Sequence, residues 1–190
     1  HPVVIHISDI PSVHYDFVFH LMEIVSPDFV IHTGDVIDEI KLSSHKQSIH
    51  EYTRKCESIL GKLSCRSGLE LLIIPGNHDD RSVLDGIAAN SGNVRVMDPG
   101  SLVRINNKSF YLVHALPEKF PDDCDYVLYG HGFRERNGSA GSHGGGNGVL
   151  LNGFEAINVI SLPSETLHRV EYPSHMNHFR NVRRGFFRGV

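Results

Sequence analysis

Five segments of the chain place an oxygen- or imidazole-bearing side chain directly after a run of strand-type apolar residues. Asp9 follows Val3–Ile7, Gly34-Asp35 follows Phe29–Ile31, and Gly76-Asn77-His78-Asp79 follows Leu69–Ile74. His114 ends the run Phe110–Val113, and Gly130-His131-Gly132 follows Tyr126–Tyr129. Ligands of open α/β sheets collect outside the carboxyl ends of strands, so this placement predicts one convergent site. Asp, Asn and His without Cys form a nitrogen and oxygen donor set that suits Mn²⁺, Fe or Zn²⁺. Glycines beside Asp35, Asn77 and His131 let the backbone turn sharply and approach closely. Taken singly, each piece is ordinary: an Asp after a strand caps or turns, and a His at a strand end hydrogen-bonds. The succession carries the argument.

For these segments to meet, the runs before them must be neighbouring strands. The first half alternates strand-type runs with helical windows, an α/β pattern. Val3–Ile7 is continuous and β-branched, the signature of a buried strand, and Val18, Leu21, Met22 and Val25 fall at helical spacing before Pro27. Ser44 and Gln47 have capping-box spacing ahead of the longest apolar stripe, Ile49, Tyr52, Cys56, Ile59, Leu60 and Leu63. Val83, Leu84, Ile87 and Ala88 mark a third helix, with Gly92 as its stop. Beyond it the chain turns to short strand-like runs at 94–97, 102–105, 110–113, 126–129, 149–151, 156–160 and 167–171, with Asn106-Asn107 as a hairpin turn. They predict a sheet-rich meander. Eight glycines between Gly130 and Gly148 predict a long mobile loop beside the chemical motifs.

Composition narrows the class. With 190 residues, 40% hydrophobic and 21% charged, the chain fits one globular domain and excludes disorder, collagen and coiled coil. The longest apolar stretch, 17–31, is broken by His20, Glu23, Pro27 and Asp28, so no membrane span is expected. Cys56, Cys65 and Cys124, odd in number and without a CxxC, make neither a disulfide framework nor a thiolate zinc site. A reducing, cytoplasmic setting is expected, and no export signal is legible at the amino end. Residues 168–190 hold five arginines against one glutamate, whereas the rest holds 13 basic against 21 acidic residues. The expected division is therefore a domain over 1–172 and a solvated basic extension over 173–190. The acidic body argues against a broad nucleic-acid surface, although the tail could touch phosphate or an acidic protein partner.

The order Asp, Gly-Asp, Gly-Asn-His-Asp, His, Gly-His resembles the motif series of the calcineurin-like metallophosphoesterase family. Gly76-Asn77-His78-Asp79 is its most specific member, and His6-Ile7-Ser8-Asp9, His32-Thr33-Gly34-Asp35 and Tyr129-Gly130-His131 resemble the first, second and last blocks. The resemblance implies an α/β (α+β) fold, a two-sheet β-sandwich flanked by helices in an αββα layering. It also implies two divalent ions sharing a bridging aspartate. Asp35 would be the bridge, Asn77, His114 and His131 would complete the second position, and Asp9 would belong to the first. His78 would protonate the leaving oxygen and Asp79 would orient it. The implied activity is hydrolysis of a phosphodiester or phosphomonoester, with Mn²⁺ first among Fe, Zn²⁺ and Ni²⁺. A metal ion makes hydroxide available near neutral pH and absorbs phosphoryl charge, while an imidazole assists departure.

Two blocks depart from the pattern. Where Asp-x-His is expected the chain has Asp9-Ile10-Pro11, and where Gly-His-x-His is expected it has Gly130-His131-Gly132-Phe133. Both missing imidazoles serve the first metal position, which predicts weaker occupancy there. His14 and His143 are the candidate substitutes, His6 a weaker one, and Arg81, Arg134 and Arg136 could clamp phosphate or be solvated loop charges. The alternative is a binding or scaffold protein that keeps the fold without turnover. Retention of His78 favours the enzyme, because a scaffold has no evident use for an imidazole over a phosphate site.

Overall fold

The structure is a computed structural model, and it describes residues 2–131, 138–139, 148–154, 156–162 and 164–173. Strands β1 (Val3–Ile7), β2 (Phe29–His32), β3 (Glu70–Ile73) and β4 (Val94–Val96) alternate with helices α1 (Tyr15–Val25), α2 (Ile49–Ser64) and α3 (Arg81–Ala89). The four strands pair in parallel and in chain order. Right-handed crossovers that always step in one direction put every helix on the same face of the sheet. The helices accordingly share one core with that face, Tyr15, Val18 and Met22 from α1, Tyr52, Cys56 and Leu60 from α2, and Leu84 from α3. The other face is left for a second sheet.

That second sheet contains β5 (Ser101–Ile105), β6 (Lys108–Leu112), β7 (Tyr126–Tyr129), β8 (Gly138–Ser139) and β9 (Val149–Asn152), in the order β5-β6-β7-β9-β8. The chain then returns to the first sheet as β10 (Ala156–Ser161), antiparallel to β1, and β11 (Thr166–Glu171), antiparallel to β10. Side-chain alternation sorts the apolar runs between two cores. Ile5, Ile7, Val30, Leu71 and Ile73 face the helices, whereas Val4, Ile31, Leu72, Phe110, Leu112 and Leu128 fill the space between the sheets. Burial on both faces is why β1 to β3 read as continuous apolar runs. On the outer face of the second sheet, Val127, Tyr129 and Leu150 are covered by Phe120 and Cys124 of the segment that follows β6.

The two sheets flanked by helices match the expected mixed α/β class. Among the described residues all three helices lie against the six-stranded sheet, and the outermost cover of the other sheet is irregular chain. The second half is not a meander: β6 pairs with β7, and β7 with β9, in parallel. Apolar pattern marks strands without fixing their direction, and the long gaps at 113–125 and 130–148 are what parallel crossovers require. The β5–β6 hairpin turns at Asn106-Asn107 as expected, with Asn106 at φ 56°. Ser44 does not cap α2. It lies in a turn bonded to the Lys41 carbonyl, and a 3₁₀ turn at Lys46–Ser48 leads into the helix. The third helix ends at Ala89 with Asn90 as its cap, ahead of Gly92. No helix among the described residues is long and apolar enough to cross a membrane. Most of the proposed glycine-rich loop and all but the first residue of the proposed 173–190 extension lie outside the described residues.

Two histidines are fully buried within the strands that lead to the site. In His6, Asn158 Nδ2 donates to Nδ1 at 3.1 Å and Nε2 pairs with Thr33 Oγ1 at 2.9 Å. Around His32 a chain of bonds fixes one tautomer: Gly34 N–H donates to Nδ1, Nε2–H to the Tyr15 hydroxyl, and that hydroxyl to the Val36 carbonyl. Burial, and secondarily a neighbouring histidine for His6, holds both pKa values down at about 3. The folded state therefore refuses protons that the unfolded chain takes up below about pH 6.5, and stability falls as pH drops from there towards 3. Each histidine contributes a slope of about 1.4 kcal/mol per pH unit. Thermal unfolding between pH 7 and pH 5 is expected to show this loss, with a shallower slope in His6→Gln and in His32→Gln.

Candidate metal centre

Asp9, the Gly34-Asp35 turn and the Gly76–Asp79 segment leave the carboxyl ends of β1, β2 and β3; His114 and His131 follow β6 and β7. Asp9, Asp35, His114 and His131 each bring one ligand atom to within 4.8 Å of the others, the first three buried and His131 exposed. Asn77 Oδ1 lies 2.9 Å from His114 Nε2. The five residues singled out as metal ligands thus share one region, and both sheets contribute to it.

Close backbone approach makes this possible. Asp9 and Asp35 both adopt left-handed backbone, at φ 53° and 52°, a conformation that Asp tolerates better than most side chains but that still costs of order 1 kcal/mol. Asp9 N–H is held by the Gly34 carbonyl at 2.9 Å. A side chain at Gly76 would overlap Asp35 Oδ1, and one at Gly130 would overlap Ser8 Oγ and Asp9 Oδ2. Each glycine clears the space that one carboxylate occupies.

Asp79 builds the turn beneath the site. Its Oδ2 accepts from the backbone of Asp35 and Gly76, both at 2.8 Å, and its Oδ1 from Val36 N–H at 2.9 Å and the Tyr52 hydroxyl at 2.8 Å. Burial raises its pKa, and the bonds from Gly76, Tyr52 and Val36 oppose that rise. The expected orientation of His78 by Asp79 is not what the geometry shows. The Asp79 carboxylate points back under its own loop to four donors, and His78 Nδ1 instead pairs with Ser43 Oγ. His78 is half-buried, and burial is the main cause lowering its pKa.

The donor set fits a divalent cation. His114 Nδ1–H donates to the Thr33 carbonyl at 2.7 Å, which leaves Nε2 with its lone pair. Nε2 lies 2.9 Å from Asn77 Oδ1, so the imidazole and amide meet at one point with Asp35 close by, an arrangement that a shared cation suits. Asp35 Oδ1 accepts from His78 N–H at 3.0 Å, while the buried Oδ2 makes no hydrogen bond and lies 3.7 Å from Lys41 Nζ.

Other sequence candidates sit elsewhere. His14 is buried against the Tyr172 ring, centroids 5.6 Å apart, and is not part of the ligand cluster. His6 belongs to the core network described above. Arg81 forms exposed ion pairs with Asp85 at 3.1 Å and Asp98 at 2.6 Å, the solvated-charge alternative. Phe133, Arg134, Arg136 and His143 lie outside the described residues. Sequence reasoning missed Lys41 and Ser43, both in the polar loop after β2, where no spacing marks them. A cleft of about 420 Å³ opens beside Asn77 and Asp79, lined also by Leu42, Ser43 and Lys46.

Residues 2–168 match the calcineurin-like phosphoesterase family. The chain belongs to that family. Members use divalent metals, and Asp9, Asp35, His114 and His131 form a cluster that could hold one. A solved structure described as a novel archaeal phosphodiesterase is 12% identical, with a TM-score of 0.62 over 90% of this chain and 99% of that one. YfcE, a phosphoesterase from E. coli, is 14% identical, with a TM-score of 0.51 over 90% of this chain and all of its own. At these identities the likeness is one of fold. Comparison with curated proteins finds no match.

For this calcineurin-like phosphoesterase chain, crowding of glycine against ligand is directly testable. Gly76→Ala should displace the Asp35 carboxylate and weaken Mn²⁺ binding by about 10- to 100-fold, the range for disturbing the groups that orient a ligand. Calorimetric titration of the variant against wild type measures it, with Gly86→Ala, whose added methyl meets nothing within 4 Å, as the control.

Proposed function

We propose that the chain is a metal-dependent phosphoesterase that hydrolyses a phosphodiester or phosphomonoester, with Mn²⁺ first among the ions, Mn²⁺, Fe and Zn²⁺, that mixed carboxylate, amide and imidazole donors suit. Asp9, Asp35, Asn77, His114 and His131 would hold the metal. The observation that carries this reading is the meeting of His114 Nε2 and Asn77 Oδ1 at 2.9 Å, beside the buried carboxylates of Asp9 and Asp35. When bound, a divalent ion supplies charge to the phosphoryl oxygens and a hydroxide nucleophile at neutral pH.

The chain's own residues do the rest. Thr33 fixes the His114 tautomer through its carbonyl, and Asp79 fixes the turn that presents Asp35. Ser43 holds His78 by Nδ1, which leaves Nε2 to meet the leaving oxygen and give it a proton. The cleft beside Asn77 offers Ser43 and Lys46 to a phosphate ester's remaining group. Buried Cys56 and Cys124 and exposed Cys65, all free thiols, support a reducing, cytoplasmic setting.

With Mn²⁺ saturating, His78→Ala should lower turnover of phosphate esters by about 10²- to 10⁴-fold, as expected for losing a general acid. The loss should shrink for esters with good leaving groups, which need less protonation. Steady-state rates across a series of aryl phosphodiesters and monoesters check this. Equal, negligible rates for both proteins on every ester would leave the scaffold reading in its place.

A further inference from the structure

The carboxylate of Asp35 faces two ways. Oδ1 lies 3.8 Å from His114 Nε2, on the side of the imidazole and amide donors. Oδ2 lies 3.7 Å from Lys41 Nζ, which is anchored by Asp38 Oδ1 at 2.7 Å. The Asp35 and Asp38 side chains are 1% and 4% exposed and that of Lys41 28%, so the ammonium reaches inward from the rim onto an enclosed carboxylate. Asp38 is itself fixed, since its N–H donates to the Ile10 carbonyl at 3.1 Å in the segment that follows Asp9. Pro11, next in that segment, has no side-chain ligand atom.

Two sides of one carboxylate are therefore served by different chemistry. On one side stand neutral donors with lone pairs, which need a cation from solution. On the other stands a cation that the chain supplies itself. Burial pushes the Lys41 ammonium below the ordinary lysine range, while the carboxylates of Asp35, Asp9 and Asp79 act in the opposite direction. A second divalent ion at Asp35 Oδ2 would have to displace this ammonium, and an ammonium and a divalent ion that close repel strongly.

We propose that Lys41 takes the place of a second divalent ion at the Oδ2 face of Asp35, so that this chain binds one metal ion and uses a tethered ammonium for the other positive charge. The proposal rests on the metal-dependent reading above and goes beyond it by assigning Lys41 a role as a positioning residue acting through Asp35. It also accounts for the chain's sequence in that region, where Lys41 stands in a site poor in neutral ligands. Without its ammonium, Asp35 Oδ2 would lose the cation beside it and stand near the carboxylates of Asp38 and Asp9, an all-oxygen set that suits Mn²⁺ or Mg²⁺.

Counting bound Mn²⁺ on the full chain tests this without reference to turnover. Calorimetry and the electron paramagnetic resonance of bound Mn²⁺ are to be run on wild type, Lys41→Met, Lys41→Gln and Lys41→Arg. Wild type and Lys41→Arg are expected to bind one ion. Lys41→Met and Lys41→Gln are expected to bind a second, at least tenfold more tightly than wild type does, with spin coupling between neighbouring ions. One ion in every variant, or two in wild type or in Lys41→Arg, would overturn the role of Lys41 while leaving the metal-dependent reading intact. Failure of wild type to bind any ion would overturn both.

Discussion

The site depends first on the carboxylate of Asp79, both of whose oxygens are spent on holding the turn. Asp79 gathers the N–H groups of Asp35, Val36 and Gly76 and the hydroxyl of Tyr52 around two oxygens, clamping the loop after β2 to the loop after β3. A buried carboxylate costs several kcal/mol unless it is fully hydrogen-bonded, and here every donor comes from a part of the fold that the site needs in register. The strained left-handed backbone of Asp35 persists because its own N–H is one of those donors. Tyr52 brings α2 into the same arrangement, so the longest helix is tied to the edge that carries the site as well as to the core.

Above this clamp, the chain concentrates carboxylate, amide and imidazole groups. His114 Nδ1 pairs with the Thr33 carbonyl, and Asn77 Oδ1 lies against its Nε2. In a low-dielectric setting such a cluster is unfavourable by itself, and a cation relieves it. Lys41 relieves one side, on the geometry described, and the cation demand of the other side remains. Specificity for a metal thus arises from an incomplete hydrogen-bond balance more than from the number of carboxylates.

The polar residues inside the sandwich have a different task. His6, Thr33 and Asn158 bond across β1, the end of β2 and β10, while His32, Tyr15 and Val36 brace the other side of the same turn. They sit just beneath the loops that carry Asp9 and Asp35. Apolar packing would hold the strands together but would leave the last turns free to slide, whereas these directional bonds fix them. Burial keeps both imidazoles neutral at the pH where the site would work, so this support does not itself titrate there.

Residue type and order alone determined much of this. Apolar runs marked the strands, helical spacing marked α1 to α3, and a polar or imidazole residue at each strand end marked the region of the site, because these are local consequences of periodicity and turn chemistry. Tertiary structure decided what depends on direction and distance. Whether β6, β7 and β9 run parallel is not encoded in their alternation, since either direction buries the same face. Whether Asp79 serves His78 or the backbone of Asp35 turns on which way one side chain points, and adjacency in the sequence is silent on that. Lys41 and Ser43 come from a loop without pattern, and only the fold carries them to Asp35 and His78, because contacts across 6 and 35 residues are set by where β2, α2 and β3 place the ends of that loop.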